Sequence, residues 1–252
     1  MAHPATAVFE RHLLIYRSLW RTTAFSFFLV PILYLVSIGL GVGDYVGSVD
    51  GFSYLDWIAP GLLATLAFQI GVSSSTYAVF VDFAWVGGLY VMRNTRVRIT
   101  DMLVGWFAFV LVVLGIAVSV FLLVAAAFGA VHSIWTLLAP LVCALLAVAC
   151  TAVVAAFSAT IRSDSYFPLL FRFAVVPTTL FSGVYFPVAA MPEYLQPLAY
   201  ALPLWHGVEL VRATMLGTTP AWPVAAHLGV LTAYLIVGFV LARQAFRKRL
   251  VD

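Results

Sequence analysis

The chain has 252 residues, of which 64% are hydrophobic and only 9% are charged. Soluble domains carry about 25% charged residues, so this composition argues against a soluble domain and predicts that most of the surface faces lipid. The net charge is +3, and the basic residues are scattered at the ends of apolar runs rather than gathered on one face, which argues against nucleic-acid binding.

The N-terminal segment, residues 4–21, has the pattern of an amphipathic helix. At about 100° per residue, apolar and aromatic side chains fall on one side of this helix and polar side chains fall opposite them. The apolar side contains Phe9, Leu13, Tyr16 and Trp20, and the polar side contains Glu10, Arg11, Arg17, Ser18 and Arg21. The pattern predicts an interface helix that lies along the membrane surface, with Arg11, Arg17 and Arg21 facing water. The alternative is an ordinary charged lead-in to the first span.

Apolar runs predict an all-α membrane protein with a single transmembrane domain. A helix needs about 20 residues to cross the hydrocarbon layer. Six segments satisfy this requirement, at residues 22–42, 57–80, 102–128, 134–161, 166–186 and 222–242. The first run is longer than the core of a signal peptide, so we expect it to be retained as a span.

Small residues recur every four positions in the fourth predicted span. They are Cys143, Ala147, Thr151, Ala155 and Ala159. Such a ridge lets two helices approach closely, so it predicts tight packing within the subunit or between subunits.

The segment 187–217 differs from the spans because four prolines interrupt it at short intervals. Neither limb between these prolines is long enough to cross a membrane. We therefore expect an extracellular re-entrant hairpin, formed by two short helices that dip into the outer leaflet just before the last span.

The basic residues predict the orientation of the chain. Eleven of the 13 Lys and Arg residues fall on one side of the predicted spans, and they are Arg11, Arg17, Arg21, Arg93, Arg96, Arg98, Arg162, Arg243, Arg247, Lys248 and Arg249. Basic loops stay in the cytoplasm, so both termini are predicted to be cytoplasmic.

A short basic connector, residues 81–101, joins the second and third predicted spans. Arg93, Arg96 and Arg98 lie close together in it, between Asp82 and Asp101. A segment this polar cannot remain in hydrocarbon, and its arginines favour the cytoplasmic side. Its length and semi-apolar character suit a socket for a soluble partner.

The sequence carries no motif for chemistry of its own. It has no Walker-type loop, dinucleotide fingerprint or zinc-protease motif, and we nominate no catalytic residue, metal ligand or cofactor on this chain. Every aspartate falls at the end of a predicted span or in a loop, whereas ion-driven pumps usually bury acidic relays in the membrane. This distribution argues against a secondary transporter or a membrane-embedded enzyme, and it suggests that any driving force comes from another chain.

The most suggestive polar cluster is His206, Glu209 and Arg212 in the predicted hairpin. Their spacing indicates one helix face near the outer membrane surface. The cluster is either a salt-bridged cap at the interface or a contact for the polar head of a substrate.

Two stretches resemble a known family, the permease subunits of type-2 ABC exporters. The first is Met92-Arg-Asn-Thr95-Arg96-Val97 followed by Thr100-Asp101-Met-Leu-Val-Gly105, which is similar to the coupling segment of that family. The second runs from Phe181-Ser-Gly183 through Phe186-Pro187 and Met191-Pro192 to Leu202-Pro203-Leu204-Trp205-His206-Gly207-Val208-Glu209-Leu210-Val211-Arg212. The likeness is closest to nodulation lipo-oligosaccharide, daunorubicin-type and O-antigen exporters. Two departures are Thr95-Arg96, where the family often has Thr-Pro, and Trp106, where an acidic residue often stands.

The resemblance implies a homodimer in the bacterial cytoplasmic membrane, paired with two copies of a cytoplasmic ABC ATPase that binds ATP and magnesium. The ATPase would dock on the segment 81–101 and on the interface helix. The implied coupling residues are Arg93, Asn94, Thr95, Arg96, Arg98 and Asp101.

The resemblance also implies export of an amphipathic substrate, such as a drug, a glycolipid or a lipid-linked saccharide. The implied extracellular gate consists of Phe186, Tyr194, Trp205, His206, Glu209 and Arg212. An ion-coupled secondary transporter or a membrane-embedded enzyme is the alternative, and a co-purifying ATPase subunit would distinguish them.

Overall fold

The computed structural model describes residues 3–251, except for the side chains of residues 18–28, 30, 31, 38–40 and 44. The predicted interface residue Arg21 is one of these and lies outside the described residues. Most of the described chain is helical. The α-helices are α1 (Pro4–Val36), α2 (Gly43–Val46), α3 (Tyr54–Ser75), α4 (Tyr77–Val81), α5 (Gly88–Arg93), α6 (Ile99–Ala127), α7 (Ala139–Thr160), α8 (Phe167–Leu170), α9 (Val176–Phe181), α10 (Gln196–Ala201), α11 (Pro203–Leu216) and α12 (Val224–Val251).

Shorter helical pieces join several of these helices. Three have π geometry, at Ser37–Val42, Asp82–Val86 and Phe171–Val175. Three have 3₁₀ geometry, at Ile134–Leu138, Asp164–Tyr166 and Val188–Ala190. Two short strands, β1 (Ser48–Val49) and β2 (Phe52–Ser53), form an antiparallel hairpin in which Asp50 and Gly51 both have positive φ, as a two-residue primed turn requires.

Within the described residues, four helical stretches are long and apolar enough to cross a membrane. They are Tyr54–Val86, Ile99–Ala127, Ile134–Thr160 and Val224–Val251. These stretches overlap the second, third, fourth and sixth spans predicted from the sequence. The second extends beyond both predicted ends, the third starts three residues earlier, the fourth ends one residue earlier, and the sixth ends nine residues later than predicted.

The interface helix and the first span, which the sequence analysis separates at residue 21, lie in one continuous helix, α1. No glycine or proline stands between residues 5 and 30, so nothing in the local sequence favours a break there. The amphipathic pattern changes along this helix, but the backbone does not stop.

The predicted fifth span is divided into α8, a π segment and α9. Pro168 stands in the first turn of α8, where a missing N–H costs little, whereas Pro177 stands at the start of α9 directly after the π segment. Pro177 cannot donate a hydrogen bond to Phe173 O, and the intervening turn widens to π geometry. After α9 the chain turns sharply at Gly183, whose φ is 70°.

Helix α7 lies at the centre of the fold, packed against α3, α6, α11 and α12. Its small-residue ridge is buried, as the sequence predicts. A Cβ on Gly71 of α3 would lie 2.5 Å from Ala147 O, and Thr151 Oγ1 donates a hydrogen bond to Gly71 O at 3.2 Å. The ridge therefore works within the subunit, where it lets α3 and α7 approach almost to backbone contact.

Candidate functional site

The basic connector, residues 81–101, forms a compact turn between α4 and α6. It contains the π segment after α4, a left-handed Gly87 with φ 70°, the short helix α5 and an irregular stretch before α6. The side chains at its tip are exposed, and they are Arg93, Asn94, Thr95, Arg96 and Arg98. The structure thus brings most of the predicted coupling residues together on one exposed surface, which we name the coupling tip.

A two-pronged ion pair fastens this connector to the N-terminal helix. Arg11 Nη1 and Nη2 donate to the two carboxylate oxygens of Asp82 at 2.9 and 2.8 Å. The Asp82 side chain is only 9% exposed, so the pair is shielded on the acidic side. Gly88 lies directly beneath it, and a Cβ there would collide with both Arg11 Nη2 and Asp82 Oδ1. Glycine at this position leaves room for the paired geometry.

The N-terminal helix is also packed on the start of α6. A Cβ on Gly105 would lie 2.6 Å from Ala5 O and 2.7 Å from Val8 Cβ, so α1 and α6 approach closely at this point. One turn further along α1, the buried His12 ring meets Trp106 edge-on with ring centres 4.3 Å apart. Helix α1 therefore contacts the start of the connector and the helix that follows its end.

The C-terminal end of α12 fastens the other side of the connector. Arg249 Nη1 donates to the carbonyl oxygens of Ser158, Ala159 and Ile161 at 3.2, 3.1 and 2.8 Å. These carbonyls lie at or just beyond the C-terminal end of α7, where the helix dipole favours a cation. The same guanidinium lies over the Phe83 ring at 4.6 Å, and Arg93 Nη1 donates to Leu250 O.

The predicted coupling residues divide into two groups by their contacts. Arg93 is tied to α12, Thr95 Oγ1 donates to Met92 O at 2.6 Å, and Asp101 accepts from the Arg98 N–H at 3.0 Å. These three shape the connector. The side chains of Asn94, Arg96 and Arg98 are exposed and have no ion pair or hydrogen bond with any described side chain or backbone group. The same is true of Arg17 on the N-terminal helix.

A pocket of about 350 Å³ lies at the opposite end of the bundle, between α11, the start of α3 and the loop after α11. Three of the predicted gate residues, Trp205, Glu209 and Arg212, line it. Asp50 and Trp57, which the sequence analysis does not select, also line it, and Trp57 Nε1 donates to Asp50 Oδ2 at 3.2 Å.

Arg212 connects several residues of this pocket wall. It donates from Nη1 to Glu209 Oε1 at 3.3 Å, from Nη2 to Gly183 O at 3.0 Å and from Nε to Trp57 O at 3.4 Å, and it lies 4.0 Å from the Trp57 ring centre. Burial lowers the pKa of Arg212 to about 10, with the Glu209 carboxylate opposing that shift, so the guanidinium stays charged at neutral pH. Glu209 Oε2 also accepts from the Ala221 N–H at 3.0 Å.

His206 lies apart from this ion pair. It is fully buried, its Nδ1 lies 2.9 Å from His227 Nδ1 on α12, and its Nε2 lies 3.0 Å from Tyr200 O. The other two predicted gate residues, Phe186 and Tyr194, are exposed, Tyr194 by 80%, and do not line the pocket. The structure thus brings three of the six gate residues into one wall. Among the side chains that the structure describes, no group of three or more His, Cys, Asp or Glu residues is arranged to bind a metal ion.

Sequence reasoning missed one polar side chain near the centre of a span. Gln69 is exposed on α3, midway along the candidate span Tyr54–Val86, and lies in a groove with Tyr34 and Tyr185. No residue in the described part of the chain hydrogen-bonds its amide. An amide without a hydrogen-bond partner is costly in hydrocarbon. The position of Gln69 within an apolar run could therefore have marked it as a candidate functional residue from the sequence alone.

Comparison with known proteins identifies the class to which this architecture belongs. A family model described as "ABC-2 type transporter" matches residues 5–216. The chain belongs to the ABC-2 type transporter family, which confirms the resemblance drawn from the two sequence stretches. It is an integral membrane permease and a transport subunit, and the family implies pairing with an ABC ATPase subunit.

Particular relatives share most of the chain. It is 33% identical over 221 residues to Nodulation protein J of Rhizobium leguminosarum bv. viciae, covering 88% of this chain and 85% of the relative. It is 30% identical over 245 residues to Nodulation protein J of Rhizobium meliloti (strain 1021), covering 97% and 93%. It is also 26% identical over 241 residues to Inner membrane transport permease YadH of Escherichia coli (strain K12), covering 88% and 86%.

Proposed function

We propose that this chain is the membrane-spanning subunit of an ATP-driven exporter in the bacterial cytoplasmic membrane. Two copies form the permease, and two copies of a separate ABC ATPase bind ATP and magnesium on the cytoplasmic side. The exported substrate is amphipathic: a drug, a glycolipid or a lipid-linked saccharide. Membership of the ABC-2 family supports the permease and its ATPase partner, and the basic residues at the connector and the C-terminus support cytoplasmic termini.

The single observation that carries this proposal is the construction of the connector. Its tip exposes Arg96 and Arg98, whose guanidinium groups have no partner among the described residues. Its base is fastened by the Arg11–Asp82 pair on one side and by the Arg93 bond to Leu250 O on the other. An ordinary inter-span loop needs no such fastening. A segment that receives force from a soluble partner needs both an exposed contact surface and rigid attachments.

The attachments supply a path for the force. The Arg11–Asp82 pair ties the connector to α1, the Arg93 bond to Leu250 O ties it to α12, and Arg249 ties α12 to the end of α7. Movement of the ATPase would therefore move three long helices together, as a rigid body rather than as a flexible loop. In this proposal, six spans and the N-terminal interface helix respond as one unit.

The substrate path follows from the unpartnered amide of Gln69. A polar group near the centre of a span normally faces another protein surface or a water-filled cavity. In the proposed homodimer, the groove formed by Gln69, Tyr34 and Tyr185 faces the second copy, with the substrate passing between the two. The short helices α10 and α11 would form the re-entrant hairpin at the exit, where the 350 Å³ pocket receives the polar head of the substrate.

The coupling proposal is tested by reversing charge at the tip. Arg96→Glu with Arg98→Glu is expected to reduce co-purification of the ATPase subunit at least tenfold, because an acidic tip repels the surface that the arginines attract. Insertion and monodispersity should not change, since neither side chain has an internal contact. The matched control is Arg243→Glu with Arg247→Glu, which makes the same charge change on the exposed face of α12. Equal ATPase recovery from both double variants would contradict the proposal.

The path proposal is tested separately at Gln69. Gln69→Leu should preserve assembly with the ATPase but lower substrate-stimulated ATP hydrolysis in reconstituted vesicles several-fold, because the amide can no longer contact polar groups in transit. The control is Leu123→Ala, at an exposed apolar position of α6. Unchanged stimulation in the Gln69 variant would remove it from the path. If the chain alone in vesicles moved solute uphill on an ion gradient, the ATP-driven mechanism itself would be wrong.

A further inference from the structure

A second, larger cavity opens where α7 and α12 end. Its volume is about 550 Å³, and it lies on the same side of the bundle as the coupling tip. Its lining comes from α5, from the end of α7 with the turn that follows, and from the last turns of α12. The lining residues are Tyr90, Ala159, Thr160, Arg162, Ala245, Lys248 and Arg249.

The charges that the described residues place around this cavity are all of one sign. Arg162, Lys248 and Arg249 line it, and no acidic residue of the described part of the chain does. Arg162 and Lys248 are exposed, and no described residue forms an ion pair or hydrogen bond with either. Arg249 is held in place through Nη1 alone, which leaves its Nε and Nη2 donors for another acceptor. Three unneutralised cations around one space favour an anion with several acceptor oxygens.

An apolar track leads from the cavity along α12. Val237, Leu241, Ala245 and Lys248 are spaced by four, four and three residues, so they share one helix face. Val237 and Leu241 are exposed by 56% and 48%, and both lie inside the candidate span Val224–Val251. The track therefore runs about 16 Å from the cavity into the hydrocarbon region.

We propose that this cavity binds the phosphate group of an anionic phospholipid, with the acyl chains lying along the exposed face of α12. The phosphate oxygens accept from Arg162, Lys248 and the free donors of Arg249, and the apolar track accommodates the chains. A free phosphate or an acidic protein surface would meet the same cations but would leave the track without a partner. The inference depends only on the cavity and the track, so it stands or falls independently of the proposed transport function.

The test compares lipid binding to the purified full chain in detergent by native mass spectrometry. The probes are phosphatidylglycerol and phosphatidylcholine with identical acyl chains. Each cation near an anionic lipid contributes about a fivefold gain in affinity, so Arg162→Gln with Lys248→Gln should weaken phosphatidylglycerol binding about thirtyfold and remove the preference over phosphatidylcholine. The matched control, Arg243→Gln with Arg247→Gln, removes two exposed cations of α12 that do not line the cavity and should weaken binding less than fivefold.

The other possible results of this test would each contradict the phospholipid site. Equal loss in both double variants, or no loss in the cavity variant, would overturn the proposal in favour of unspecific surface charge. Displacement of phosphatidylglycerol by an excess of inorganic phosphate at constant ionic strength would identify a free-phosphate site instead. Loss of ATPase co-purification with lipid preference retained would assign the cavity to a protein interface. The single variant Lys248→Gln, expected to weaken binding about fivefold, keeps the test decisive if the double variant is poorly folded.

Discussion

At the end of the molecule that contains α10 and α11, Arg212 directs Nε, Nη1 and Nη2 at acceptors of its own chain and stacks on Trp57. At the opposite end, the guanidinium groups of Arg96 and Arg98 extend from the coupling tip with no partner in the part of the chain that the structure describes. Both ends contain arginine outside the candidate spans, in α11 at one end and between α5 and α6 at the other. The difference is whether the guanidinium completes the fold or remains available to another molecule.

The coupling end also contains arginines of the first kind. Arg11 and Arg249 lie beneath the tip and are engaged with Asp82 and with the last carbonyls of α7. This end is therefore built in two layers, with internal anchors below and unpaired cations above. Among its described residues, the pocket end has internal anchors but no unpaired cation, because Arg212 is neutralised by Glu209 within the same helix. An exposed pair of cations on a rigid base suits a docking surface, whereas a neutralised cation suits a wall that must hold its shape.

The largest effect should come from breaking the internal arginine at the pocket end. Arg212→Gln leaves the half-buried Glu209 without its cation and leaves Gly183 O without its donor, which should cost about 3 kcal/mol in the free energy of unfolding. The measurement is an unfolding titration with SDS in mixed micelles. Arg96→Gln is the paired control and should leave the free energy unchanged, because its side chain has no internal contact. Similar losses in the two variants would abolish the contrast between the two ends.

A smaller effect should come from the anchor layer at the coupling end. Arg11→Gln, Asp82→Asn and the double variant form a double-mutant cycle, and we expect a coupling energy of about 1–3 kcal/mol because the pair is bidentate and its acidic side is shielded. Gly88→Ala should reproduce the loss by forcing Arg11 and Asp82 apart, and it should not add to Arg11→Gln.

Gly115→Ala is the control for this cycle, because a Cβ there meets no atom within 4 Å among the described residues. It should be neutral or slightly stabilising in the helix interior. A coupling energy near zero, or full additivity of the Gly88 and Arg11 changes, would show that the pair does not fasten the connector.

Much of this architecture could be predicted from the sequence, because the signals are local. Apolar runs of sufficient length predict spans. Four of the six predicted spans overlap helices of the described chain that are long and apolar enough to cross a membrane. The prolines of the segment 187–217 predict two short helices, and α10 and α11 lie there. The connector stands out because three arginines interrupt an apolar pattern, which is again a local feature.

The contacts that make these elements work are not local, and the sequence does not specify them. Arg11 and Asp82 are 71 residues apart, and Arg249 is 88 residues from Ile161. Hydrophobic periodicity says that a side chain is buried or exposed, but it does not say which distant group it meets. The amphipathic pattern placed Arg11 on the water-facing side of its helix, whereas the structure pairs it with a shielded carboxylate.

Helical spacing was also a partial guide to the gate. Residues 206, 209 and 212 were predicted to share a face, and the Glu209–Arg212 pair at i, i+3 is present. At 100° per residue, however, His206 and Arg212 are about 120° apart around the helix. His206 therefore points towards α12 and meets His227, while Arg212 points into the pocket.

The smallest effect on stability should come from Asp101, and it tests whether a predicted coupling residue belongs to the anchor layer or to the tip. Its carboxylate accepts from the Arg98 N–H at the start of α6, so Asp101→Ala should cost about 1 kcal/mol through the lost cap. Asp101→Asn keeps an acceptor oxygen and should restore both the free energy of unfolding and co-purification of the ATPase subunit. If the asparagine variant restores stability but loses the ATPase as fully as the alanine variant, the negative charge itself contacts the partner. In that case the docking surface would combine both signs of charge, and the division between anchors and unpaired cations would have to be redrawn at this residue.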